Sequence, residues 1–294
     1  MFRGVYCPSI TLFTKDGRID HASMSAHLDR IVSAGVQGVL VLGSIGEFFT
    51  LTPQEKAEIA RAAVQAVGGR AQVLVGTADT DLRQVKALNQ MAAQEGADAV
   101  VVVSPYYVGP SSAQARRFFG AVAEDSPLPV MLYNFPARTG SDLSPELVRD
   151  LAATHPGIVG IKDTVDSLSH TRKVISAVHP VRPEFSVLSG FDEYYVGNRV
   201  AGGQGVLSGL TNVVPEVFVA MDRAWESGDH ATALEQAARI SRLMALYDVG
   251  DLFIGAVKQA AQLRGTPGSA AMRASDIRLE PEQVSAIEEL LATV

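Results

Sequence analysis

Lys162 closes the apolar run Ile158-Val159-Gly160-Ile161 and is followed by Asp163-Thr164. A lysine in that setting is largely desolvated, and desolvation favours the neutral amine over the ammonium. The neutral amine is the form that attacks a ketone carbonyl, so residue type and setting point to Schiff-base chemistry. The competing reading is a strand-end lysine whose stem is covered while its head reaches water or pairs with Asp163. Tyr133, in Leu132-Tyr133-Asn134-Phe135-Pro136, offers a phenol that can deliver protons to the water leaving an imine. It also reads as core packing with a satisfied hydroxyl. Ser44, in Gly43-Ser44-Ile45-Gly46-Glu47, either shapes a turn or passes a proton to Tyr133 while neighbouring backbone N–H groups bind a carboxylate. Tyr106-Tyr107 and Arg138 add two more phenols and a guanidinium, and Arg138 can equally be a surface charge near a turn.

Elements must bring these groups together. Strand candidates are Val5–Phe13, Val36–Leu42, Ala71–Thr77, Ala97–Ser104, Pro129–Asn134, Ile158–Lys162, Phe185–Ser189 and Gly205–Ser208. Several are almost continuously apolar, as in Val100-Val101-Val102-Val103, which suits parallel strands buried on both faces. Helical stretches separate them. Thr52-Pro53-Gln54-Glu55 has the form of a capping box with proline at the first helical position, and Ser144-Pro145-Glu146 opens a second helix similarly. Gly68-Gly69 and Gly96 fall where helices stop. In Gln54–Val67 the spacing puts Ile59, Ala63, Ala66 and Val67 on one face, with Glu55, Lys56 and Arg61 outside it.

Repeated strand-then-helix units without a dinucleotide fingerprint predict an α/β fold of the (β/α)8 TIM-barrel type with additional C-terminal helices. The expected division is a barrel over residues 1–228 and a helical extension over 229–294. Within it, Val213–Ser227 is the eighth barrel helix, Asp229–Leu263 and Pro281–Val294 hold two or three more, and Gly265–Glu280 is a loop. Such a barrel places its chemistry at the C-terminal ends of its strands, where all the groups above fall.

Composition narrows the function. The net charge of −7 is spread along the chain without a basic stripe, so nucleic-acid binding is not expected. No apolar run reaches the ~18 residues of a membrane span, and the N-terminus lacks a signal-peptide layout, so the expectation is a soluble cytoplasmic protein. Cys7 is the single cysteine, which excludes an internal disulfide and a cysteine-based zinc site, and it reads as a packed core thiol. His21, His27, His155, His170, His179 and His230 fall in helices or helix exits, away from the strand ends, so no metal site is expected. Gly43-Ser44-Ile45-Gly46 lacks the spacing of a hydrolase nucleophile elbow, and Gly202-Gly203-Gln204-Gly205 is not a nucleotide fingerprint.

Taken in register over about residues 1–225, Gly43-Ser44-Ile45-Gly46-Glu47, Pro105-Tyr106-Tyr107, Tyr133-Asn134-Phe135-Pro136 and Gly160-Ile161-Lys162-Asp163 resemble the dihydrodipicolinate synthase / N-acetylneuraminate lyase family. The resemblance implies a homotetrameric barrel, a dimer of dimers, that needs no metal or other cofactor and takes pyruvate and an aldehyde. Lys162 would form the Schiff base and Tyr133 would be the general acid and base. Ser44 and Tyr107 would complete a proton relay, with Tyr107 reaching in from a neighbouring subunit. Backbone groups at Ser44, Ile45 and Leu207 would hold the pyruvate part. Gly46-Glu47-Phe48 and Lys162-Asp163-Thr164-Val165-Asp166-Ser167 look most like 2-keto-3-deoxy-sugar-acid aldolases. Arg138-Thr139-Gly140 instead resembles the synthase that condenses pyruvate with aspartate semialdehyde, where the matching arginine grips a carboxylate. Ile45 departs from the second threonine of the synthase pattern, and Asp79–Gln84 lacks the asparagine and glutamate of a lysine-inhibition site. The aldolase reading is therefore preferred, the synthase is the alternative, and a silent barrel that only binds keto acids is the non-enzyme alternative.

Overall fold

Strands and helices alternate in the computed structural model, which describes residues 1–273 and 278–294. The strands are β1 (Gly4–Pro8), β2 (Gly38–Val41), β3 (Gln72–Gly76), β4 (Ala99–Val103), β5 (Val130–Asn134), β6 (Ile158–Asp163), β7 (Ser186–Ser189) and β8 (Gly205–Leu207). The helices through the strand region are α1 (His21–Ala34), α2 (Pro53–Val67), α3 (Leu82–Gln94), α4 (Ser112–Asp125), the single turn α5 (Pro136–Thr139), α6 (Pro145–Thr154), α7 (Leu168–Val178) and α8 (Tyr195–Val200). After the last strand come α9 (Pro215–Ser227), α10 (His230–Leu243), α11 (Phe253–Leu263) and α12 (Pro281–Leu291). The strands follow one another from β1 to β8 in a closed parallel barrel, as the alternation of elements predicts.

Two compact units divide the chain: Met1–Gly4 with Val73–Leu207, and Val5–Gln72 with Ser208–Val294. In the first, β3 to β8 pair in parallel, in chain order. Every residue of β4 and β5 is buried, which explains their unbroken apolar character. Side chains close the ladder starts: Asp98 accepts from Val73 N at 2.7 Å and Gln204 from Val187 N at 2.7 Å. Gly205 has φ of 145°, and a Cβ there would run into the carbonyl of Gly4, so only glycine fits the entry to β8. Ser144 caps α6 by accepting from Leu147 N, and Ser111 and Gln114 form a capping box on α4.

In the second unit β1 pairs with β2 in parallel, and α10 packs on α9. Fully buried His27 on α1 meets Thr266 Oγ1 at 2.9 Å and Asn212 Oδ1 at 3.0 Å. Asn212 in turn donates to the carbonyls of Pro8 and Gly209 at 2.9 and 2.8 Å, so one amide ties the end of β1 to the turn before α9. The Thr52–Glu55 capping box and the left-handed Gly68 cap bound α2 as expected.

Three expectations need correction here. The first strand ends at Pro8, not Phe13: Ile10 N turns to Asn212 Oδ1 and Thr11 Oγ1 to Gly46 O, outside any ladder. The apolar run continues because Ile10, Leu12 and Phe13 are buried loop residues. Lys56 lies buried rather than on the solvent face of α2, with its amine 5.8 Å from the ring centre of Phe48. In the expected loop 265–280, Ser269 makes an antiparallel bridge to Phe13, while residues 274–277 lie outside the described residues.

Candidate active site

Strand register decides which groups meet. Tyr133 and Lys162 are direct neighbours across β5 and β6, so their side chains share a face. Lys162 is 7 % exposed and Tyr133 5 %, and the lysine Nζ lies 4.4 Å from the centre of the tyrosine ring. Tyr133 also stacks on Phe135, with ring centres 5.8 Å apart, a contact that helps fix the orientation of the phenol ring. The register continues from Lys162 to Leu188 and from Leu188 to Gly205. Alternation then puts buried Leu207 on the same face, at the end of β8.

Arg138 sits on α5, the turn that Pro136 opens directly after β5, and its side chain is exposed. Tyr107, in the loop after β4, is 96 % exposed and holds a left-handed backbone with φ of 71°. Neither is a register partner in the strand ladders that pair Tyr133 with Lys162. In the second unit, half-buried Ser44 and buried Ile45 occupy the turn after β2, which Gly46 N closes onto Gly43 O at 3.0 Å. A Cβ on Gly46 would stand 3.0 Å from the carbonyl of Ser9. Leu42 and Glu47, non-glycine residues at φ of 60° and 55°, flank the turn in the left-handed region.

Two clusters escaped the sequence reading. Asn134 and Asp163, next in sequence to Tyr133 and Lys162, hydrogen-bond at 3.1 Å on the opposite face of the sheet. There α7 supplies Thr171, whose hydroxyl donates to Asp163 Oδ2 at 2.7 Å, and His170, whose Nδ1 lies 3.0 Å from the same oxygen. His170 is thus not remote from the strand ends, as its helical setting had led one to expect. Burial works against its protonation, but the adjoining Asp142 and Asp163 carboxylates outweigh it and push the imidazole up to about 10. In the second unit the buried Glu47 carboxylate pairs with the buried Lys258 amine of α11 and accepts from Arg273 N at 2.9 Å. Desolvation pulls the Lys258 amine below its ordinary value against the attraction of Glu47. A sequence signal existed for Asn134 and Asp163 of the first cluster, since strand alternation sends the neighbours of Lys162 and Tyr133 to the far face. None existed for Lys258, 211 residues from its partner. Among the described residues, no group of three or more His, Cys, Asp or Glu side chains could hold a metal ion.

The sequence profile of the Dihydrodipicolinate synthetase family matches residues 1–293. The chain belongs to this family. YagE of Escherichia coli K12, named a candidate 2-dehydro-3-deoxy-D-gluconate aldolase, is 42 % identical over 92 % of this chain and 89 % of its own length. The crystal structure of YagE in complex with pyruvate superposes with a TM-score of 0.97, at 39 % identity, over 99 % of this chain and 98 % of that one. YjhH from the same organism, named a candidate 2-dehydro-3-deoxy-D-pentonate aldolase, is 37 % identical over 90 % of this chain and 88 % of its own. The family also reaches a 4-hydroxy-tetrahydrodipicolinate synthase of Methanosphaerula palustris, 36 % identical over 100 % of this chain and 99 % of its own.

Proposed function

We propose that this member of the Dihydrodipicolinate synthetase family is a class I aldolase that reversibly cleaves a 2-keto-3-deoxy sugar acid to pyruvate and an aldehyde. The observation that carries the reading is a buried amine on β6 set 4.4 Å from the ring centre of a buried phenol on β5. The Lys162 amine attacks the C2 ketone, and the carbinolamine loses water to give an imine. The C3–C4 bond then breaks, its electron pair passing to the iminium nitrogen to form an enamine, while Tyr133 takes the proton of the C4 hydroxyl and the aldehyde leaves. Protonation at C3 and hydrolysis release pyruvate and free the amine. Backbone groups at Ser44, Ile45 and Leu207 hold the keto-acid carboxylate, since backbone N–H groups in tight turns bind anions without a side-chain cation.

The same reading makes the protein a cytoplasmic homotetramer, a dimer of dimers, in which Ser44 and a neighbouring copy's Tyr107 extend the proton path. The exposure and left-handed backbone of Tyr107 suit a side chain that serves another copy. No helix among the described residues is long and apolar enough to cross a membrane. Pyruvate bound to YagE and the sugar-acid names of YagE and YjhH support this substrate class. Arg138 favours a second reading, condensation of pyruvate with aspartate semialdehyde, because its guanidinium just beyond Tyr133 can grip a carboxylate.

Incubation with pyruvate and borohydride followed by mass measurement tests the chemistry. A stable adduct that the Lys162→Ala variant loses is expected, and its absence from the native protein removes the enzyme reading. Parallel assays with 2-keto-3-deoxygluconate and aspartate semialdehyde choose the substrate. Should Arg138 grip an acidic aldehyde, Arg138→Ala will depress that reaction far more than sugar-acid cleavage, and equal small effects make Arg138 a bystander.

A further inference from the structure

Behind the strand ends that carry Lys162 and Tyr133 lies a closed polar cluster. Asn134 Nδ2 donates to Asp163 Oδ1 at 3.1 Å and to Asp142 Oδ1 at 2.8 Å, and its own Oδ1 accepts from Leu143 N at 3.0 Å. Asp163 Oδ2 takes the Thr171 hydroxyl at 2.7 Å and His170 Nδ1 at 3.0 Å. The far side of the imidazole lies 3.3 Å from Asp142 Oδ1, an ion-pair distance. The Asp163 side chain is fully buried. A buried carboxylate is costly unless donors and an opposite charge surround it, so this one has little freedom to move. Its backbone is continuous with that of Lys162, and the backbone of Asn134 with that of Tyr133, while Asn134 and Asp163 are themselves register partners. Any slip of the cluster therefore displaces the amine relative to the phenol.

We propose that His170 is a positioning residue for the reaction, acting through Asp163 and Asn134 to hold the ends of β5 and β6 so that amine and phenol keep their mutual geometry. The inference rests on the Schiff-base role of Lys162. Proton transfer and imine formation tolerate little displacement, and a shift near 1 Å costs about 10²-fold in rate. The imidazole cation supplies the charge opposite Asp163 through the neutral range, because Asp142 and Asp163 keep it protonated.

The test measures the rate of borohydride-trappable imine formation at saturating pyruvate, the pyruvate concentration giving half that rate, and the fraction of chains finally trapped. His170→Ala is expected to lose about 10²-fold in the saturated rate, with the half-saturating concentration and the trapped fraction unchanged. His170→Asn, whose amide nitrogen can restore the donor to Asp163 but not the charge, should recover part of the rate. Thr171→Val removes one donor to Asp163, leaves the imidazole in place, and should slow trapping in the same direction. It also carries the test if His170→Ala fails to fold. Native rates in His170→Ala and Thr171→Val overturn the proposal while leaving the Lys162 reading intact. A smaller trapped fraction with an unchanged rate per trapped site also overturns it, because that is the signature of a merely structural role. Absence of an adduct in the native protein overturns the Lys162 reading, and the positioning role falls with it.

Discussion

The hydroxyl and the ring of Tyr133 do separate work. The ring packs on Phe135 and stands over the Lys162 amine, contacts that phenylalanine would keep. The hydroxyl carries the proton transfers in the proposed cleavage. Tyr133→Phe is therefore expected to lower kcat for sugar-acid cleavage by about 10²–10⁴-fold, with the thermal midpoint little changed. A steady-state assay beside a melting curve checks both, and a variant with native kcat removes the phenol from the mechanism. Lys162 was legible from the sequence because an amine after an unbroken apolar run is chemically conspicuous. His170 was not, since its helix placed it apart from the strands and only the seating of α7 against α6 and β7 brings its imidazole to Asp163.

At the scale of elements, the turn after β2 is held by a device that spans much of the chain. Left-handed backbone at Leu42 and Glu47 costs roughly 1–3 kcal/mol per residue, and the surroundings must over-determine it. Glu47 is pinned by Lys258 of α11 and by Arg273 N, and Arg273 in turn meets Glu55 of α2 at 2.8 Å. Removing one partner of a buried ion pair leaves the other uncompensated, so Lys258→Met should destabilise the fold by about 3–5 kcal/mol. Urea denaturation checks this, and a loss under about 1 kcal/mol would mean that the pair behaves like an exposed one. The turn chemistry of Gly43–Glu47 was readable from glycine spacing. Its support from α11 was not, because a lysine in an amphipathic helix carries no mark of the distant carboxylate it will meet.

For the whole molecule, two histidines set opposite limits on pH stability. Burial drives His27 down to about 4, so between that value and 6.5 the unfolded chain binds a proton that the folded chain refuses. Its contribution is present above pH 6.5 and lost as pH falls toward 4. His170, held up to about 10, keeps a proton that the unfolded chain releases above 6.5. Its contribution is complete below pH 6.5 and lost as pH rises through about 10. Urea midpoints measured from pH 4 to 10 should fall at both ends, and His170→Asn should flatten the alkaline fall alone. A steep alkaline fall that survives in His170→Asn would assign it to other groups. The amino-acid sequence by itself pointed to the barrel, because repeated apolar runs alternating with helical stretches suit a parallel sheet buried on both faces, and the missing dinucleotide fingerprint favoured a closed sheet over an open one. It also marked Lys162, Tyr133 and the Ser44 turn, since strand ends carry the chemistry of such a fold. Only the tertiary structure decided that Lys162 and Tyr133 stand face to face and that His170 and Lys258 serve buried carboxylates. Contacts of that kind depend on register and helix packing, which bring together residues whose separation along the chain says nothing of their separation in space.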